Sequence, residues 1–276
     1  MRKDNLGDRM KSYENITRAY LPNRMPVIIR LDGCHFHTFT KGFNKPFDSI
    51  LMRAMWQTAM ELCKNIEGVK LAYTQSDEIS LLITNNDTWE TQPWFGNNIL
   101  KIVSVAASMA TLAFNRAFWR EVNILNNDYL NMEDTKHLNT YCYAVEKGAT
   151  FDARIFVLPE DEVCNYFIWR QQDAIRNSIQ AVGQAYFSHK ELMNKSCENI
   201  KQMLVEKNIK WEAYPIPQRR GICVAKQSTP IMTTVYFGTN KTETTYRNKW
   251  IIDEAIPLFW EDREYIDKLL GDKYEE

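Results

Sequence analysis

Two acidic tips, forty-five residues apart, constrain this chain more than any other feature. One is Arg30-Leu31-Asp32-Gly33-Cys34-His35-Phe36-His37, entered from the apolar run Val27-Ile28-Ile29. The other is Thr74-Gln75-Ser76-Asp77-Glu78, entered from Val69-Lys70-Leu71-Ala72-Tyr73 and left through Ile79-Ser80-Leu81-Leu82-Ile83. A carboxylate at the end of a buried strand is poor core material, because an unpaired buried charge is costly. It suits a hard divalent cation held next to phosphate.

The surrounding pattern predicts how the tips meet. Residues 26–33 read as a buried strand. Asp48 is a plausible N-cap for a helix over 49–66, which Gly68 ends. Residues 69–74 and 78–84 read as a hairpin, and 85–98 as a polar loop. Residues 99–119 read as a helix apolar almost all round, hence buried. A polar loop over 126–139 then leads to strands near 140–146 and 151–157. The order strand, helix, strand, strand, helix, strand is the ferredoxin-like split βαβ pattern. A sheet of order 4-1-3-2 puts the end of the first strand beside the turn of the hairpin. Asp32 and Asp77 would then share one edge. The expected fold is α+β: a polymerase-like palm over 1–158, followed by a mainly helical region over 159–276 that engages RNA and packs alone or as one unit with the palm. In that region 160–186 and 192–207 read as helices, and 221–226 and 230–237 as strand-like.

Charge distribution separates the ends of the chain. The net charge is −1, but residues 1–24 hold six Lys/Arg against three Asp/Glu. Residues 207–226 hold five against one, and 253–276 reverse the sign. A local basic face on a neutral protein can bind RNA. The six cysteines form no CxxC pair, the N-terminus has no apolar signal segment, and no unbroken apolar stretch reaches membrane-spanning length. The expectation is a cytoplasmic protein with reduced thiols and no membrane partner.

The tips imply two-metal nucleotidyl chemistry, in which one ion activates the attacking oxygen and the other neutralises the triphosphate. Asp32 and Asp77 are the candidate catalytic carboxylates. Glu78 joins them at lower rank, since strand alternation turns it away from Asp77. Gly33 lets the backbone approach a metal or phosphate, and the amides from Gly33 to His37 could cradle a triphosphate. Ser76, Lys45 and Lys101 could reach phosphate or ribose. A zinc site on His35 and His37 would need His137 or His189 as well, and a nucleophilic Cys34 lacks an activating neighbour.

With these residues in view, the chain resembles the tRNA-histidine guanylyltransferase family. It is most similar to the bacterial and archaeal guanylyltransferase-like proteins, which are 3′–5′ RNA polymerases. The matching pieces are Arg30-Leu31-Asp32-Gly33-x-x-Phe36-His37, Lys45-Pro46-x-Asp48, Tyr73-x-x-Ser76-Asp77-Glu78-Ile79-Ser80, Lys101, Phe151-Asp152-Ala153-Arg154 and Trp169-Arg170-Gln171-x-Asp173. The resemblance implies two Mg²⁺ held by Asp32, the Gly33 carbonyl and Asp77. It implies nucleotide contacts from Asp32, Gly33, Cys34, His35, Phe36, His37, Ser76 and Asp77, with ATP, GTP and other nucleoside triphosphates as substrates. It also implies tRNA as partner and a homotetramer. In the reaction it implies, ATP or GTP activates a tRNA 5′-monophosphate. The 3′-hydroxyl of an incoming nucleotide then displaces the activating group.

One stretch departs from the family's histidine-specific members. Their His-Ile-Asn-x-x-Tyr-Asn run reads here Ile175-Arg176-Asn177-Ser178-Ile179-Gln180-Ala181, and only Asn177 survives. This favours template-dependent repair of 5′-truncated tRNA over dedicated addition of G at position −1. Arg176, Asn177, Arg219 and Arg220 are the candidate RNA contacts. A reading of another class is a non-catalytic RNA-binding palm.

Overall fold

The computed structural model describes residues 5–129, 136–237 and 239–270, with backbone alone over 127–129, 136–137 and 229–246. In chain order the elements are α1 (Asn5–Asn15), β1 (Val27–Cys34), α2 (Phe36–Phe39), α3 (Ser49–Asn65), β2 (Val69–Gln75), β3 (Glu78–Ile83), α4 (Ile99–Tyr129), α5 (Lys136–Lys147) and β4 (Thr150–Val157). There follow α6 (Glu160–Tyr186), α7 (His189–Leu192), α8 (Cys197–Glu206), α9 (Ile216–Arg220), β5 (Ile222–Phe237), β6 (Thr239–Asp253) and α10 (Glu264–Asp267). The strands form one antiparallel sheet in the order β4-β1-β3-β2-β5-β6. The expected 4-1-3-2 arrangement is thus present, and β5 and β6 extend it from the C-terminal part of the chain.

Strand alternation divides β1 cleanly. Val27, Ile29 and Leu31 face α3 and α4, where Phe36, Phe39, Phe114 and Phe151 build an aromatic cluster with centroids 5.2–5.7 Å apart. Ile28 faces the other way, into a second cluster with Leu71, Tyr73 and Leu82 under Val163 and Phe167 of α6. The C-terminal stretch covers the same side through Ile256, Phe259 and Ile266. Gln171 of α6 pins it, donating to Pro257 O at 2.9 Å and accepting from Phe259 N–H at 2.9 Å. A third cluster joins α6 to α8 and Trp211.

Several expectations are corrected. Residues 140–146 are helical, within α5, and not a strand. Alternating aromatics imitate a strand there, but Tyr141 and Ala144, three apart, are buried in the α3–α4 cluster with Leu138 and Val145 against it, which is helical spacing. Helix α4 is longer than expected and only one side is buried. Ile102, Ala106, Ala110 and Phe114 face the core, while Leu100, Leu112, Trp119 and Ile124 are exposed. Among the described residues, Ile99–Asn126 is the one helix long and apolar enough to cross a membrane, and here its inner side packs on the sheet. The strand-like pieces 221–226 and 230–237 are one strand. Its partner β6 lies in polar sequence that gave no strand signal. Beyond Ala225 the ribbon leaves β2 and continues as two strands to the pair Phe237↔Thr239.

The junction of α9 and β5 depends on Gly221. Its φ is 81°, and an added Cβ would lie 2.5 Å from the Thr74 carbonyl oxygen. Both the backbone angle and the close approach exclude a side chain. We expect Gly221→Ala to cost about 2 kcal/mol or more, measured as a shift of the urea midpoint at constant slope. A midpoint within error of wild type would contradict this packing.

Candidate active site

The tips meet at the upper end of the sheet. Asp32 stands opposite Glu78 in the β1–β3 register and opposite Asp152 in the β1–β4 register. The Gly33 N–H donates to the Asp77 carbonyl at 3.1 Å, so one backbone bond ties strand end to hairpin turn. Thr74 Oγ1 donates to the Glu78 carbonyl at 2.8 Å and closes the turn, with Ser76 at φ 53°. Ser76 Oγ donates to Asp77 Oδ1 at 3.0 Å.

The register sets Glu78 beside Asp32. Asp77 lies in the turn, where alternation does not apply. Directly paired residues point to the same face, so Glu78 shares its face with Asp32. Its carboxylate is taken by Arg170 of α6, whose Nε and Nη2 donate to Oε1 at 2.7 Å and Oε2 at 2.9 Å. Arg170 Nη2 also donates to Asp173 at 3.0 Å. Asp173 in turn accepts from Arg176 and, at 3.3 Å, from Asn177. The sequence reading gave Arg170 no role. The signal was an arginine at helical spacing among Val163, Phe167 and Ala174, the buried side of α6.

Other candidates fall into place or drop out. Gly33 is a glycine because the ring of Phe36 covers it, with an added Cβ only 2.2 Å from that ring. Phe36 is therefore buried in the aromatic cluster under the strand end. The Gly33 amide is already committed to Asp77. Cys34 Sγ lies 3.8 Å from Asp152 Oδ2, and His37 Nε2 is 3.0 Å from Thr38 Oγ1. His35 and His37 are exposed with ring centroids 6.5 Å apart. Lys101 is remote from the tips. It sits over the Phe95 ring at 4.4 Å, and its neighbour Ile102 lines a pocket with Val27 and Ile83. That is the lower end of the sheet, roughly 17 Å from Asp32 by five residues of strand.

A cavity opens beside the hairpin turn. Gln75 and Ser76 line it with Met52, Met55 and Trp56 of α3, Asn177 of α6 and Gln218 of α9. Lys45 stands exposed beside Pro46 at its rim. Its apolar wall suits a flat heterocycle, and its three carboxamides both donate and accept. Arg219 and Arg220 follow Gln218. Each has a buried Nε without a hydrogen-bond partner, and burial, then Arg219, lowers the pKa of Arg220. Asp48, on the same wall, caps α3 at Leu51 N–H (2.9 Å) and accepts from Tyr141 Oη at 2.5 Å.

Burial pushes the Asp77 carboxyl above the ordinary carboxylate range; Ser76 opposes the shift and Asp32 adds to it. Burial also pushes Glu78 up, against the pull of Arg170. For Arg170 burial acts downward, but Glu78 and Asp173 more than offset it and its pKa rises. Among the described residues no three His, Cys, Asp or Glu side chains form a ready-made metal cage. The donors fit Mg²⁺ nonetheless, since that ion takes one or two carboxylates and completes its shell with water and phosphate oxygens. Asp32 and Asp77 supply two, and their mutual repulsion has no lysine or arginine paired to Asp77 to relieve it among the described residues. Glu78 is already satisfied by Arg170.

The family model for tRNAHis guanylyltransferase matches residues 7–159, more than half of the chain. An uncharacterised protein of Acanthamoeba polyphaga mimivirus is 30% identical over 80% of this chain and 77% of its own length. A solved bacterial tRNA(His) guanylyltransferase-like protein in complex with ATP is 46% identical, with a TM-score of 0.78 over 98% of this chain and 100% of that one. A bacterial tRNA(His) guanylyltransferase-like protein in complex with GTP is 44% identical, with a TM-score of 0.75 over 97% and 99%.

The raised carboxyls give stability a pH dependence of known sign. A carboxyl whose folded pKa exceeds its unfolded one binds more protons when folded, so stability falls as pH rises from the unfolded value through the folded one. Asp77 and Glu78 both act in this direction. Asp77→Asn removes one contribution. We expect the metal-free variant to melt higher than wild type at pH 7, with the difference shrinking toward pH 4. Lower melting at pH 7 with an intact circular dichroism spectrum would show that the carboxylate stabilises the turn instead.

Proposed function

Because this chain belongs to the tRNAHis guanylyltransferase family, nucleotidyltransferases that act on tRNA, we propose that it rebuilds tRNA 5′ ends by template-dependent 3′–5′ nucleotide addition. The observation that carries the reading is the backbone bond between the tips, which ties the Asp32 strand end to the hairpin turn whose Gln75 and Ser76 line the cavity. The ATP and GTP complexes of similar proteins support nucleoside triphosphates as substrates here.

The reaction has two displacements. In the first, the 5′-phosphate oxygen of the tRNA attacks the α-phosphorus of ATP or GTP and pyrophosphate leaves. In the second, the 3′-hydroxyl of an incoming triphosphate attacks the activated 5′-phosphate. A new 3′–5′ bond forms and the nucleoside monophosphate leaves. Two Mg²⁺ ions, held by Asp32, Asp77 and the Gly33 carbonyl, would supply charge neutralisation and lower the pKa of the attacking hydroxyl. The chain's own residues orient the partners. The cavity seats the activating base against Met52 and Trp56, Ser76 offers its hydroxyl to phosphate or ribose, and Lys45 lies within reach of the triphosphate. Arg170 pairs with Glu78, which leaves Asp32 and Asp77 as the unpaired carboxylates at the tips. Arg176, Arg219 and Arg220 are the RNA backbone contacts, and we place the protein in the cytoplasm as a homo-oligomer, a tetramer by likeness to its family.

Template reading is favoured over a dedicated histidine anticodon because of α6. Ile175 is half-buried against the cluster of Ile179 and Trp211, and Asn177 lines the cavity. Ile175 has no group that could hydrogen-bond an anticodon base, and base reading needs hydrogen bonding or stacking on exposed edges, so the exposed Asn177 stands alone there. Dedicated addition of one G is the second reading, and relatives named tRNA(His) guanylyltransferase favour it.

Two outcomes are expected. Relative kcat/KM on 5′-truncated tRNAs should follow the facing template base and ignore anticodon swaps. Dependence on a histidine anticodon with indifference to the template base would restore the second reading. Mg²⁺ should raise the melting temperature of wild type relative to chelator, and this gain should vanish in Asp32→Ala and Asp77→Ala together with nucleotide addition. Near-normal turnover in either variant at saturating Mg²⁺ would refute the ligand assignment.

A further inference from the structure

The basic N-terminal segment and the loop between β3 and α4 are not used by the chemistry above, yet they form one built surface. Residues 19–24 are stitched to that loop: Leu21 N–H donates to Asn97 O at 3.0 Å, Arg24 N–H to Asn85 Oδ1 at 3.0 Å, and Asn97 Nδ2 to Asn23 Oδ1 at 3.0 Å. On this frame stand three exposed rings. Trp89 is 79% exposed, Tyr20 56% and Phe95 37%. The Arg24 guanidinium lies 4.1 Å from the Trp89 ring centroid, and Lys101 Nζ lies 4.4 Å from that of Phe95.

Trp89 is carried by a closed turn. It sits inside a turn closed by Thr91 N–H to Thr88 O (3.2 Å), Thr88 N–H to Thr91 Oγ1 (3.1 Å) and the two threonine hydroxyls (3.0 Å). A lone exposed tryptophan needs no explanation. A set of three rings, two carrying a cation on one face, does. Arg18, Arg24 and Lys101 have no carboxylate partner among the described residues, whereas nearby Asp87 is neutralised by Lys70. Aromatic faces interleaved with unpaired cations are poor material for an apolar protein contact. They are what stacks an unpaired base and holds its phosphate.

We propose that Tyr20, Arg24, Trp89, Phe95 and Lys101 form a stacking strip for the unpaired 3′-terminal nucleotides of the tRNA. The proposal rests on tRNA 5′ ends entering the site. In every tRNA the 3′ strand runs unpaired past the 5′ end, so an enzyme working on that end must accommodate it. The strip lies beyond the Val27 end of β1, which is itself roughly 17 Å from Asp32 by five residues of strand. Four unpaired nucleotides span about 14 Å when stacked and more when splayed.

The test is fluorescence anisotropy with two labelled tRNAs, one with its 3′ overhang and one trimmed flush. Wild-type protein should bind the first several-fold more tightly. Trp89→Ala should weaken that binding roughly five-fold or more and leave the flush tRNA unchanged, while Trp89→Phe retains most of the affinity. Trp89 is exposed, so an unchanged melting temperature should accompany the loss. Equal loss on both RNAs, or no loss on either, would overturn the proposal. So would a change of mass by light scattering in Trp89→Ala, which would assign the strip to a contact between copies. The two readings fail separately. Overhang-dependent binding without nucleotide addition would refute the proposed function alone. Nucleotide addition indifferent to Trp89 and to the overhang would refute the strip alone.

Discussion

One hydrogen bond, from the Gly33 N–H to the Asp77 carbonyl, governs the upper end of this sheet. It joins two acidic segments that would otherwise repel. The bond alone is worth about 1 kcal/mol, so it cannot hold the tips without help from both sides. On one side Phe36 packs over Gly33 and anchors the strand end in the aromatic cluster. On the other, Arg170 neutralises Glu78 and removes one of three charges from the confrontation. What remains is a pair of carboxylates, Asp32 and Asp77, whose mutual repulsion adds to the upward push that burial exerts on the Asp77 carboxyl.

Much of this was legible in the residues. Val27–Leu31 alternates between two apolar faces, Asp48 caps its helix as its side chain dictates, and the hairpin breaks at Ser76-Asp77. The convergence of Asp32 and Asp77 followed from strand order alone. The side-chain partners were less legible. The carboxylate of Glu78 is claimed by a residue ninety-two positions later, and no local pattern announces such a pair. Phe36 and Lys101 sit in motif positions, but packing sent one to the core and the other to the far end. Helix α5 imitates a strand because Tyr141 and Tyr143 alternate, and only the three-residue spacing of buried Tyr141 and Ala144 marks its helical face. Strand β6 was missed because two-period alternation needs a buried face, and the outer part of this ribbon has no third strand beside it.

The chain of contacts Glu78–Arg170–Asp173–Asn177 runs from the tips to the cavity wall. Each buried charge along it has a partner, which meets the condition for burying ions without a large penalty. The same helix therefore sets the electrostatics of the tips and one wall of the cavity.

The β5–β6 ribbon has its own consequence. From Lys226 to Phe237 its strands pair only with each other, for about 40 Å. Both long edges thus carry backbone donors and acceptors that no neighbouring strand consumes. Such edges are templates for cross-β growth between molecules. The sequence counters this hazard with Pro230, which removes a donor, and with Lys226, Lys241, Glu243, Arg247 and Lys249 spread along the ribbon. Along this ribbon, edge-to-edge pairing between copies is therefore opposed by the sequence itself and not by a covering strand.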